Sequence, residues 1–380
     1  MVLATFLTAF LVAAGAAQQA LVPVRPIRPP TDPLPAESAS AGVTRFSFIA
    51  YGDTRSQVDG TALQPDHGAV ISRMLTTIAS RASTAFPVKF VLHSGDAVVR
   101  GQDGAQWNVS FSPLVEHLTQ GAGLPYFFTI GNHDGPEAPD GTRTLGVHNA
   151  LAAMSQLTPG EGSPRRLNGY MTYAFGYGNL MALAIDSNIA PDKTQLAWVA
   201  DQLEHLDRRR YPHVVVFFHH PVFSSGPHGG TAPGPAAGTM AEGSVEPPTA
   251  ALRRFYAPLF RRHHVRMTIS GHDHLFDHFV ERHVLDGVSY RRDDVVSGGG
   301  GAPIYSYRGE PELGAYLAAG ASQRVRVQHL VRPGATPADN PHHFIVIQVD
   351  GDRLSLEVVG AGPAEFQPYG GRSRIELTDP

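Results

Sequence analysis

The sequence predicts an α/β fold, a largely parallel or mixed sheet covered by helices, and three observations carry that expectation. Five short runs rich in Val, Ile and Phe lack polar alternation, the pattern of strands buried on both faces. Stretches with apolar residues at helical spacing lie between them. Each run stops at a small cluster of Gly, Asp, Asn or His, and ligands in open α/β sheets gather beyond the carboxyl ends of strands.

The five runs are FSFIAYGDTR (46–55), PVKFVLHSGD (87–96), PYFFTIGNHD (125–134), HVVVFFHHP (213–221) and VRMTISGHDH (265–274). A helix is expected over Asp66–Ser83, where Val70, Ile71, Met74, Leu75 and Ile78 share a face. A second is expected over residues 193–207, with Leu196, Val199, Leu203 and Leu206 on one face. Asp192 is its N-cap, and Gln195 is positioned as a capping-box partner. Near the end, HHFIVIQVDGDRLSLEVVG reads as a hairpin with an Asp-Gly turn, part of a C-terminal β elaboration over about 306–380.

The flanks read differently. Residues 2–14 are almost unbroken apolar and are followed by the small residues of AGAAQQA, so 1–20 read as a signal peptide or N-terminal anchor and export is expected. No Lys or Arg follows Met1, so the charged start of an ordinary signal peptide is missing. Spaced prolines make 21–42 an expected extended linker, with a single folded domain over 43–380 beginning near Val43. Within it, 224–250 is a long Gly/Pro/Ala loop that follows the HHP cluster and is expected to border a substrate entrance.

Composition excludes several chemistries. The chain of 380 residues has no cysteine, which removes disulfides, thiolate zinc sites and Cys nucleophiles and leaves any metal to oxygen and nitrogen ligands. A net charge of −4 with interspersed signs, and no interleaving of basic and aromatic residues, argues against dedicated nucleic-acid binding. Hydrophobic residues at 42 % are enough for a sizeable core.

Asp53, Asp96, Asn132, His219, His272 and His274 stand at the strand ends as oxygen and nitrogen donors suited to zinc, manganese or iron. Each alone reads more simply as a turn acid or a packed histidine; their joint occurrence at successive strand ends points to a metal centre. His220 reads as packing beside the ligands, and the glycine run 298–301 as backbone passing close to the site.

The series GDTR, GDAVV, GNHD, HHP and GHDH, in that order, resembles the calcineurin-like metallophosphoesterases, and most nearly their purple-acid-phosphatase branch. YMTYAFGYGNLMALAIDS (170–187), TQLAWVADQL and VVSGGGGAPIY (295–305) extend the likeness over about residues 45–305. The resemblance implies two mixed β-sheets packed as a sandwich flanked by helices. It also implies a pair of metal ions (Mn, Fe or Zn) and attack by a metal-bridging hydroxide on a small phosphorylated substrate. By the family pattern Asp53, Asp96 and His274 hold the first ion. Asp96 bridges, and Asn132, His219 and His272 complete the second. His133 is the implied proton donor or phosphate-orienting group, Asp134 its ring's partner, and His228 a substrate contact.

Two departures stand out. The family's first motif often has a ligating His where this chain has Arg55, and purple acid phosphatases place a ligating Tyr where it has Val99. An uncoloured enzyme is therefore expected. A guanidinium has no lone pair for a cation, so Arg55 is expected to pair with a site carboxylate or to reach a substrate phosphate oxygen. Three functions stay open at this level. They are an exported phosphomonoesterase, a phosphodiesterase or nucleotide hydrolase on the same centre, and a non-catalytic exported binding protein.

Overall fold

The computed structural model describes residues 22–55, 60, 62–135, 144–160, 162–230 and 245–377. Its first strand, β1 (Arg45–Tyr51), shows why the apolar runs lack alternation. Phe46, Phe48 and Ala50 enter one core, while Ile49 and Tyr51 enter another on the opposite face. A strand with a core on each side has no polar face to show.

Twelve further strands follow among the described residues: β2 (Val88–His93), β3 (Tyr126–Phe128), β4 (Tyr173–Tyr177), β5 (Leu180–Ala184), β6 (His213–Phe217), β7 (Met267–Ser270), β8 (Phe276–Leu285), β9 (Val288–Ser297), β10 (Arg326–Val331), β11 (His343–Asp350), β12 (Arg353–Gly360) and β13 (Arg374–Glu376). They form a six-stranded sheet in the order β13-β12-β11-β1-β2-β3 and a seven-stranded sheet in the order β10-β8-β9-β7-β6-β5-β4. Both are mixed. β1, β2 and β3 run parallel, as do β5, β6, β7 and β9, while the outer strands are antiparallel.

Between the sheets lies an aromatic core in which Phe90 packs on Phe48 (ring centroids 5.0 Å) and Phe127 stacks on Phe175 (3.6 Å). Each such fully buried aromatic contributes roughly 1.5–3 kcal/mol through apolar burial. The outer face of the first sheet is covered by the helix Pro65–Arg81, through Val70, Ile71 and Met74, and by a helical stretch over 104–121. The outer face of the second is covered by Lys193–Glu204 and a helical stretch over 247–262. Four layers result: helices, sheet, sheet, helices.

Three local expectations change. Asp192 caps Lys193–Glu204 by accepting from the Gln195 amide at 2.7 Å, but Gln195 does not close a capping box. Its buried side chain bonds both the N–H and the C=O of Asp186 (3.0 and 2.9 Å), so it ties the helix to the end of β5. The segment 22–42 lacks α-helix and strand, with one 3-10 turn at Glu37–Ser40, but it is docked and is not a free spacer. Ile27 is wholly buried with its N–H on Ala153 O (2.9 Å), and Glu37 accepts from Arg165 and Tyr211. Proline forbids helix and sheet without preventing a lone Ile from burying its side chain. The expected C-terminal hairpin is β11–β12, with Gly351 at φ +65° in its turn. It pairs through β11 with β1, so it widens the first sheet.

The expected signal peptide or anchor, 1–20, and the middle of the 224–250 loop, 231–244, lie outside the described residues.

Candidate metal centre

The parallel strands carry the polar clusters to neighbouring rims of the two sheets. Asp53 follows β1, Asp96 follows β2 and Asn132 follows β3; His219 follows β6, and His272 and His274 follow β7. The turns that present them are strained. Asp53 (φ 61°), Asp96 (φ 58°) and His272 (φ 70°) all adopt the left-handed conformation. Each such residue costs on the order of 1–3 kcal/mol and persists only where the surroundings enforce it. Room is equally tight. A Cβ on Gly131 would lie 2.2 Å from Asp96 Oδ1, and one on Gly271 would lie 2.0 Å from Asp53 Oδ2. Only glycine lets the backbone pass so near the carboxylates.

On one side of the cluster, acceptors converge. His219 Nε2 lies 2.9 Å from Asn132 Oδ1 and 3.4 Å from Asp96 Oδ1. His272 Nδ1 lies 3.1 Å from both Asn132 Oδ1 and His219 Nε2. The far nitrogens decide what these atoms carry. His219 Nδ1 faces the Ser94 carbonyl (2.9 Å), and His272 Nε2 faces the Glu246 carboxylate (2.8 Å). Both partners only accept, so those nitrogens hold the ring protons and the facing nitrogens present lone pairs. Two imidazole lone pairs, an amide oxygen and a carboxylate oxygen then converge, and of these the carboxylate oxygen takes a proton from outside the group, the His133 N–H (2.9 Å). A cation can be held by all of these lone pairs at once. The donor set fits zinc, manganese or iron, and the tautomer-fixing partners on the far nitrogens are what metal-binding histidines ordinarily have.

The other side is arranged differently. His274 Nδ1 faces the Pro303 carbonyl (2.7 Å), which leaves Nε2 as the lone pair, 3.6 Å from Asp53 Oδ1. Here a donor is present: Arg55 Nε donates to Asp96 Oδ2 (3.1 Å), and its Nη2 lies 3.3 Å from His274 Nε2. Tyr305 stacks on the His274 ring at 4.1 Å and shares a hydrogen bond with Arg55. Asp53 accepts the His272 amide on both oxygens, at 3.1 and 3.0 Å.

Electrostatics follow burial and neighbours. Burial, and then the Asp96 charge, push the Asp53 carboxyl well above the usual range. Burial also opposes ionisation of Asp96, but His219, His133 and Arg55 together outweigh it and hold that carboxyl low. His219 is pushed down to about 3, chiefly by burial.

The family model that matches residues 67–276 of the chain is that of the calcineurin-like phosphoesterases. The chain belongs to this family. A comparison by sequence with curated proteins found no match. Among solved structures, the purple acid phosphatase PPD1 from yellow lupin (Lupinus luteus) seeds is similar with a TM-score of 0.58 at 16 % identity, over 88 % of this chain and 54 % of that one. The chain thus spans about half the length of the lupin enzyme, and the likeness is one of fold. Two others are the Plasmodium GAP50, the anchor in the inner membrane complex (TM-score 0.45, 15 % identity, 85 % and 87 % covered), and the Candida albicans 5'-nucleotidase (TM-score 0.37, 13 % identity, 80 % and 53 % covered).

The remaining expected residues of this phosphoesterase fall as follows. His133 lies beside the cluster with its amide on Asp96 Oδ1 (2.9 Å) and Nδ1 on the Val99 carbonyl (2.9 Å), which leaves Nε2 without a partner among the described residues. Asp134 is therefore not the partner of that ring. Its carboxylate is fully buried behind the turn, where it accepts the amides of Asp96, Ala97, Val98 and Gly131 at 2.8–3.2 Å. Four N–H bonds point one carboxylate away from its neighbour's imidazole, so Asp134 sets the shape of the Asp96 turn. Of the alternatives for Arg55, the carboxylate pair is the one formed. His220 is a packing residue, bonded to Ser187 Oγ at 2.9 Å.

His228 packs at a tilt against His272 (ring centroids 4.2 Å), with Nδ1 on Glu246 Oε1 (2.8 Å). Burial lowers its pKa, but the Glu246 bond and nearby acids outweigh that and raise it overall. Glu246 was not foreseen. It joins His228 to His272 through its two oxygens, and its only sequence signal is that it is one of two acids in a Gly/Pro/Ala loop. One oxygen of Glu246, His220 and His272 also lie close enough to hold an ion, but the Glu246 oxygen there already faces His272 Nε2.

Proposed function

We propose that this calcineurin-like phosphoesterase is an exported phosphomonoesterase. The observation that carries the catalytic part is the meeting of His219 Nε2, His272 Nδ1, Asn132 Oδ1 and Asp96 Oδ1 as acceptors with no proton between them. Those four residues hold a divalent cation in this reading. A bound cation supplies two things, polarisation of a phosphoryl oxygen and a water acidified for attack on phosphorus.

The chain's own groups do the rest. Asp96, fixed by the His133 amide and Arg55, sets the position of the cluster's oxygens. His133, with Nδ1 anchored on Val99, turns Nε2 toward the leaving oxygen and exchanges a proton there. Arg55, His133 and His228 surround the cluster with donors and positive charge, which suits the dianion of a terminal phosphate more than the monoanion of a diester. The dinuclear form of the reading needs a further ion against Asp53, Asp96 and His274, where the Arg55 guanidinium already sits.

Export is supported by the apolar run 2–14 and the small residues after it. Among the described residues no helix is long and apolar enough to cross a membrane.

The test is a substrate panel: 4-nitrophenyl phosphate and its bis-ester, with Mn(II), Zn(II) or Fe supplied in turn. The monoester should be turned over faster by at least tenfold. Preference for the bis-ester overturns the substrate class, and no turnover of any phosphoester by folded, metal-loaded protein overturns the catalytic reading. N-terminal sequencing of protein recovered outside the cytoplasm should find a start after the apolar run.

A further inference from the structure

We propose that Arg55 stands in for one of the family's two cations, so that this chain holds a single metal ion, on Asp96, Asn132, His219 and His272. The inference rests on the metal-centre reading above and narrows it. The two sides of the cluster differ in that a guanidinium stands on one of them. On the Asn132 side, acceptors face acceptors. On the Asp53 side, the atoms that would bind an ion are already met by N–H groups. Asp96 Oδ2 takes Arg55 Nε at 3.1 Å, and His274 Nε2 faces Arg55 Nη2 at 3.3 Å.

The His274 tautomer makes the second contact a true hydrogen bond, because Nδ1 gives its proton to Pro303 O and Nε2 is left to accept. Tyr305 holds the guanidinium from a further direction and lies flat on the His274 ring. Arg55 is largely buried, with 15 % of its side chain exposed. It is thus an internal cation held by a carboxylate, an imidazole and a phenol. An added dication would have to displace it or sit against it.

The two sequence departures belong together on this reading. The chain has Arg at position 55 and Val at position 99, where the resemblance leads one to expect ligands to the first ion. Asp53 and His274 then act as positioning residues. Asp53 fixes the His272 backbone through its two hydrogen bonds, and His274 accepts from Arg55.

Metal counting decides the matter without reference to activity. Protein stripped of metal, reloaded with Mn(II) and freed of excess should contain one ion per chain by elemental analysis, with the electron-paramagnetic spectrum of isolated Mn(II). Arg55→His, which removes the guanidinium and supplies a ligand, should rise to two ions per chain with a spin-coupled spectrum; Arg55→Lys should stay at one. His274→Ala should keep the single ion, and His219→Ala should lose it. Two ions in the unaltered protein overturn the proposal, as does loss of the single ion in His274→Ala. An Arg55→His variant that folds but stays at one ion shows that Arg55 is not what excludes the second. No ion in folded, unaltered protein sinks the metal-centre reading itself, an outcome distinct from all the others.

Discussion

Two regions of this phosphoesterase bury charge, and they do it in opposite ways. Along β8 and β9, Arg292 lies wholly buried between Asp294 (2.9 Å) and Glu281 (3.1 Å), and Arg261 reaches Glu281 at 3.5 Å. Tyr316 also donates to Glu281, and Thr268 to Asp294 at 2.7 Å. Acids there face guanidinium groups and hydroxyls, so the charges are compensated within the protein. At the strand ends, His219, His272, Asn132 and Asp96 compensate nothing in one another. Buried charge alone is therefore a poor guide to function. What separates a structural network from a site is whether its acids are met by cations of the protein's own.

The largest effect that separates the two regions should come from Arg292→Met. Removing one partner of a buried pair leaves Asp294 without its guanidinium and Glu281 with Arg261 and Tyr316 alone, at a cost of about 3–5 kcal/mol in unfolding free energy. Chemical denaturation should show that loss while metal content per chain stays unchanged. Loss of metal in folded Arg292→Met protein would break the contrast by tying the network to the site.

A buried histidine satisfied at one nitrogen, by the Pro341 carbonyl (3.0 Å), gives the next test. His343 is fully buried between Phe276 and Phe366, and its Nε2 has no hydrogen-bond partner among the described residues. Burial pushes its pKa down to about 4. Its folded pKa is depressed, so its stability contribution is intact above about pH 6.5 and is lost as pH falls toward 4. At pH 4.5 the loss should be about 2–3 kcal/mol relative to pH 7.5. Denaturant unfolding of His343→Gln at the two pH values should show an acid penalty smaller by that amount; an equal penalty in both proteins contradicts the assignment.

The smallest effect should come from Glu246→Gln, which keeps the size of the side chain but weakens its hold on His272 and His228. Metal affinity should fall by roughly 10–100-fold by titration, with the unfolding free energy of metal-free protein nearly unchanged. An unchanged affinity would mean that the His272 ring is oriented without its help.

Glu246 also bears on what the sequence could convey. The strand-end clusters were legible because each is local: an apolar run and the turn after it lie within ten residues. Glu246 was not, because it meets His272 from 26 residues away at the end of a loop with no periodicity to read. Asp134 was given the wrong partner because adjacency in sequence says nothing of direction. In the tight turn at 131–134 the carboxylate turns back to four backbone amides while the neighbouring imidazole turns outward. The docking of Ile27 was hidden by the prolines around it, whose effect on backbone shape is strong and on side-chain burial is nil.

The left-handed backbone at Asp53, Asp96 and His272 bears on how such a sequence drifts. A replacement at any of the three carries two penalties, the missing side-chain group and the strain of a new residue at positive φ. β-Branched residues are the most disfavoured there, while Asn and Gly enter at little cost to the fold. A descendant that abandons the centre without unfolding is therefore expected to pass through Asn or Gly at these positions. A relative with Asn at 53 and 96 would carry the mark of a site lost by the route its own backbone left open.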